Sequence, residues 1–190
     1  MPTLTPRSLI RGAAIPAAMA LAATAPQAAA HTGQTLLTCT VSTTSGKPIT
    51  LDPPVRLVAQ RVTARATLAL SQCTSPTGAH ARLRSGWLTA HGTGQASCVS
   101  VSDINAGGRI TWYDADKRQA GTSVLNPDTV RTGTVKSYNP GNLLLSGKVT
   151  KGRLTGATVT GNAVPTSDVS ACATTGLTSV AGAGKVTFTV

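Results

Sequence analysis

Glutamate is absent from this chain of 190 residues, and its six acids are all Asp. Charged residues make up 12% of the sequence and aromatics 3%, the latter being two Trp, two Tyr and one Phe. Those shortages exclude a coiled coil, a charge-driven disordered chain and most helical bundles. Beyond residue 30 no apolar run reaches the roughly 20 residues that a membrane-spanning helix needs. The four cysteines never fall in the C-x-x-C spacing of zinc or redox sites. No P-loop, dinucleotide fingerprint or G-x-S-x-G elbow appears, and Gly121-Thr122-Ser123-Val124-Leu125 fails that last pattern only at its final position.

What the chain does have begins at its N-terminus. Arg7 and Arg11 precede an apolar, Ala-rich stretch from Ala13 to Thr24, and Ala28-Ala29-Ala30 follows. A basic region, an apolar region and small residues in that order predict a secretory signal peptide over 1–30, cleaved after Ala30. Pro16 and Pro26 speak against a buried helix there. The expected product is one domain over 31–190, secreted to the extracellular space and carrying +9 of the chain's +11 net charge. About 160 residues can bury a sizeable core without a second domain.

Export gives the cysteines a meaning. Cys39, Cys73, Cys98 and Cys172 are even in number and lie beyond the leader, which predicts two disulfides. Four cysteines admit three pairings, and spacing does not select among them. The sequential arrangement, Cys39 with Cys73 and Cys98 with Cys172, is the working expectation.

The body of the chain reads as strands. Val62, Ala64, Ala66, Leu68 and Leu70 alternate with Arg61, Thr63, Arg65 and Thr67, the period of two that marks a half-buried strand. After Cys73-Thr74-Ser75-Pro76-Thr77-Gly78 the alternation resumes, with Ala81, Leu83, Ser85 and Trp87 opposite Arg82 and Arg84. A hairpin is expected, its turn near Ser75-Pro76. Further Val- and Thr-rich runs occur near 36–42, 96–102, 109–114, 130–137, 143–150, 154–160 and 185–190. The spacing predicts an all-β, disulfide-stapled sandwich, or a partly open barrel, of roughly eight to ten short strands. Gly147, Gly152, Gly156 and Gly161 are explained by turns or bulges.

The Ala-rich leader, the Ile110-Thr111-Trp112 strand followed by a turn and Gly121-Thr122-Ser123, and the stretch Gly147 to Gly156 with Cys172 after it resemble the small secreted Thr- and Gly-rich β-proteins of high-GC actinobacteria. That resemblance implies an extracellular β-domain and no assigned activity. It carries over no catalytic residue.

The candidate chemistry is sparse. Asp52, Asp103, Asp128 and Asp168 all sit in turn-like contexts, which accounts for them without catalysis. Asp114 and Asp116 form the closest carboxylate pair, but Lys117 and Arg118 stand where a calcium loop would need further oxygen ligands. No metal, cofactor or catalytic set is assigned, and His91 lacks an identifiable orienting partner. Binding is the leading function class. The expected hairpin puts Arg61, Arg65, Arg82 and Arg84 on one polar face, suited to a phosphate-, sulfate- or carboxylate-bearing envelope polymer or glycan. In Arg109-Ile110-Thr111-Trp112-Tyr113-Asp114, one aromatic faces the core and Tyr113 is the candidate for stacking on a sugar. Nucleic acid fits poorly, because aromatic stacking platforms are scarce and export removes the chain from it. A small secreted hydrolase and a proteinaceous inhibitor presenting the Cys73 to Gly78 loop are the alternatives.

Overall fold

Thr- and Val-rich runs with period-two alternation become strands because a β-branched side chain loses rotamers in a helix but packs well on a pleated surface. The structure is a computed structural model that describes residues 33–127, 135–136 and 145–190. The leader lies outside the described residues, as do parts of the strands expected near 130–137 and 143–150. The described residues form eleven strands: β1 Thr35–Thr43, β2 Ile49–Val55, β3 Gln60–Thr74, β4 Ser85–Ala96, β5 Ser100–Tyr113, β6 Gln119–Pro127, β7 Val135–Lys136, β8 Leu145–Gly152, β9 Thr158–Pro165, β10 Leu177–Val180 and β11 Gly182–Thr189. One short 3-10 turn, Ser170–Ala173, precedes β10. Among the described residues no helix is long and apolar enough to cross a membrane.

The all-β class holds, but the architecture is a closed barrel and not a sandwich. The antiparallel order runs β1-β11-β9-β8-β6-β5-β4-β3, and β3 then pairs back onto β1. Closure uses both edges of β1: Cys39 lies opposite Val186 of β11, while Val41 lies opposite both Gly184 of β11 and Leu70 of β3. Strand alternation reports which face of a strand is buried, not which strand lies beside it, so the sequence pattern suits a sandwich and a barrel equally. Nor are the strands all short, for β3, β4 and β5 have 15, 12 and 14 residues. Their extra length projects past the end of β1. There β2 takes over as the neighbour of β3, with Leu51 opposite Ala64, and β10 pairs with β2.

The interior has two clusters. The larger one fills the barrel and includes Leu37, Leu70, Leu88, Ile110, Trp112, Val149, Val159 and Phe188. Trp112 and Phe188 meet edge to face at 5.7 Å. The Trp112 indole N–H donates to Ser123 Oγ at 2.8 Å, and the Ser123 hydroxyl donates in turn to the carbonyl of Arg153. One buried polar side chain thereby satisfies both the indole and a backbone oxygen. The smaller cluster, Val55, Val62, Cys172 and Leu177, lies under β2 and β10. A close approach in the wall accounts for one of the recurring glycines. Gly152 ends β8 with φ +87°, and a Cβ there would collide with the carbonyl oxygen of Thr122.

The disulfides are Cys39–Cys73 and Cys98–Cys172. The first joins β1 to β3 across the seam where the barrel closes. The second ties the β4–β5 turn to the 3-10 turn before β10. With sequence separations of 34 and 74 residues, each is worth about 4 kcal/mol if chain entropy dominates. The double variant C39A/C73A is expected to lose about that much unfolding free energy in a denaturant titration. Hydrogen exchange should rise first in Thr38–Thr43 and Leu68–Thr74, the two sides of the seam.

Candidate functional site

The four arginines do not share a face. Strand β3 pairs with β4 so that Arg61 is opposite Gln95, Arg65 opposite His91, Thr67 opposite Thr89 and Ala69 opposite Trp87. Arg82 and Arg84 lie in the connection before β4, where the Cys73 amide donates to the Arg84 carbonyl. Arg65 and Cys73 are eight positions apart on β3, about 26 Å at the rise of a strand. The expected hairpin turn near Ser75-Pro76 fails for a local reason. Residues 75–83 close on themselves through Gly78 to Ser75, Ala81 to Gly78 and Leu83 to His80 backbone bonds, so this segment cannot extend the ladder. The Cys73–Gly78 loop proposed for an inhibitor is the start of the same string of turns, and Ser75 Oγ accepts from the His80 amide.

The turns also change the parity of the chain. Leu83 is buried, but Gly86 and Leu88 then face inward and Trp87 faces out. A slip of one residue moves every side chain to the other face, so Trp87 lies opposite the face its sequence neighbours suggested. It is 44% exposed. Across the β4–β5 ladder it stands opposite Thr111, with Arg109 and Tyr113 at the two diagonal positions. Tyr113 is only half-buried, while Trp112 on the opposite face is fully buried. The outer wall of β3, β4 and β5 therefore carries Arg61, Arg65, His91, Arg109, Trp87 and Tyr113. Reading Trp87 as inward hid the most accessible aromatic of this wall. No local pattern marked the change, because it is made by the turns over residues 75–83; the inward position falls to Gly86, where a Cβ would crowd Ile110 and Trp112.

Asp114, Asp116 and Asp168 make local contacts. Asp114 Oδ1 accepts from the amides of Asp116 and Arg118 at 3.0 and 2.9 Å, closing the β5–β6 turn. Asp116 faces Arg118 at 3.9 Å, the one ion pair among the described residues. Asp52 and Asp103 lie within β2 and β5, not in turns, and Asp103 sits with φ +51° where the β4–β5 register shifts. Asp128 is outside the described residues. Asp168 lies just before the 3-10 turn, accepting from the Ser170 amide at 2.8 Å and the Ser170 hydroxyl at 2.9 Å. Among the described residues no group of three His, Cys, Asp or Glu side chains could hold a metal ion. His91 makes no hydrogen bond to a carboxylate there, and its cross-strand neighbours are Arg65 and Gly107.

Compared with protein-family models, curated proteins and solved structures, the chain matches none.

The backbone bond from Ser170, then its hydroxyl, hold the Asp168 carboxyl below its ordinary value. A depressed folded pKa stabilises the fold above the unfolded value, about 3.9, and that contribution is lost as pH falls through the folded value. Thermal midpoints of D168A and the unaltered chain should therefore differ slightly above about pH 5 and converge as pH falls through the depressed folded value.

Proposed function

We propose that this chain is an exported, non-catalytic binding protein that holds an anionic envelope polymer or glycan on the outer wall of β3, β4 and β5. The basic leader with its Ala28-Ala29-Ala30 site and the two disulfides support export. The resemblance to small secreted actinobacterial β-proteins agrees with that compartment.

One observation carries the binding reading. Exposed Trp87 on β4 stands diagonal to outward Arg109 on β5, with Arg65 across β4 on β3 opposite His91, and neither guanidinium has a carboxylate within 4.0 Å among the described residues. Arginine forks left without an internal partner suit phosphate or carboxylate groups, and an exposed indole supplies a flat apolar surface for a sugar ring. Thr89, Thr93 and Thr111 on the same wall add hydroxyl donors and acceptors at the ladder positions between these groups.

The probe is a poly(glycerol phosphate) polymer, with a neutral glucan as control. Binding by the intact chain should weaken steeply between low and physiological salt, since exposed charges are screened beyond about 8 Å at 0.15 M. R65S/R109S should lower the affinity at least about tenfold while leaving the thermal midpoint nearly unchanged, because outward positions contribute little packing. W87A should weaken binding several-fold without changing its salt slope, whereas R82S/R84S should have little effect. Binding indifferent to both salt and R65S/R109S would overturn the assignment.

A further inference from the structure

The two interior clusters leave a space between them. At the end of the barrel where β3, β4 and β5 project, the inward positions are Ala64, Ala66, Ala90, Gly92, Gly94 and Ala106, and the side chains that would fill the wall are missing. Further down, the same three strands turn in Leu68, Leu70, Leu88, Ile110 and Trp112. The result is a partly open cavity of about 220 Å³, bounded by Ile49 and Leu68 of one cluster and by Val55, Val62 and Leu177 of the other. An apolar cavity of about 150 Å³ already accepts benzene. Barrels of eight strands have an interior that either fills with side chains or holds one small ligand. This one does the first at one end and has room for the second at the other.

The lining determines the chemistry of an occupant. Among the described residues no Asp, Lys or Arg borders the space, and the titratable neighbour His91 is exposed on the outward side of β4. The Ser97 hydroxyl is already engaged with Ser100. A polar group carried inside would lose its hydration without a partner, so what enters must be hydrocarbon. The rim extends the apolar surface: Leu57, Val58, Val99, Ile104 and Val164 are between 46% and 79% exposed. They are five of the seven large apolar side chains exposed among the described residues, gathered at the end where β3, β4 and β5 project. Single exposed apolar residues need no explanation, but a gathered set marks a binding surface. Exposed Arg56 and Arg61 flank Leu57–Val58 in the β2–β3 turn.

We propose that this end of the barrel binds one medium-length alkyl chain of a fatty carboxylate, with the hydrocarbon between the two clusters and the carboxylate at the rim beside Arg56 and Arg61. The hydrocarbon site lies on the inner side of these strands; Arg61 belongs to both its rim and the outer wall, but the proposal does not depend on Arg65, Arg109 or Trp87.

Calorimetric titration of the intact chain with sodium alkanoates of increasing length, each below its micellar concentration, tests the proposal. Affinity should rise about fourfold per added methylene and level off near ten carbons, once the cavity is full. A66L/A90L, which fills the cavity, should reduce decanoate binding at least tenfold with an equal or higher thermal midpoint. R61S should weaken decanoate and leave decanol unchanged. W87A/R109S should bind decanoate as the unaltered chain does, so failure of the outer-wall reading leaves this one standing. A flat chain-length series overturns the proposal whether or not A66L/A90L folds. So does a folded A66L/A90L that binds decanoate normally. Association with phosphatidylglycerol vesicles without any binding of monomeric decanoate would also overturn it, and would make the rim a membrane-docking surface instead.

Discussion

The fold depends on strand β1 having partners on both edges. Its pairing with β11 joins the C-terminal part of the sheet to the start of the chain, and its pairing with β3 turns a row of antiparallel strands into a closed wall. Without the second pairing, β1 and β3 would each present a run of unpaired amides and carbonyls, the edge exposure that closure removes. Cys39 and Cys73 sit on the two sides of that seam and face the core, so the covalent link lies where the sheet would otherwise open. Most of the interior packs around this closure, including the Trp112–Phe188 contact that links β5 to β11 across the barrel.

Closure also explains why the two ends of the molecule differ. Strand β1 ends at Thr43, but β3 begins its ladder with β4 at Gln60 and shares only Leu68–Thr74 with β1. The remaining length of β3 needs another neighbour, and β2 with β10 supplies it. That second layer of wall brings its own small cluster and its own disulfide, Cys98–Cys172, with Asp168 bonded to Ser170 at the start of the 3-10 turn that carries Cys172. Alanine and glycine at the inward positions of β3, β4 and β5 keep the two clusters from merging. A chain with few aromatics could have filled that space with Leu or Ile, so the void reflects the residues chosen at those positions rather than a general shortage of apolar side chains.

Much of this was legible in the sequence, and the boundary is physical. Composition and period-two alternation determined the all-β class, because each side chain's preference for a pleated surface is local. The alternation of Val62 to Leu70 identified the inward side of β3, and that of Ile110 with Trp112 identified the inward side of β5. The even number of cysteines beyond a leader-like segment pointed to two disulfides, while their pairing was one choice among three. What needed the tertiary structure was everything that depends on neighbours. Whether the strands close on themselves is decided by β1 meeting β3 across more than twenty residues of intervening chain, and no local pattern records it. The face of Trp87 and the places of Arg82 and Arg84 hinge on how residues 75–83 turn, since one residue more or less in that connection reverses every side chain after it. The cavity is less local still: Ala64, Ala90 and Ala106 are unremarkable strand residues one by one, and only the ladder that sets them side by side turns their small size into a shared empty volume.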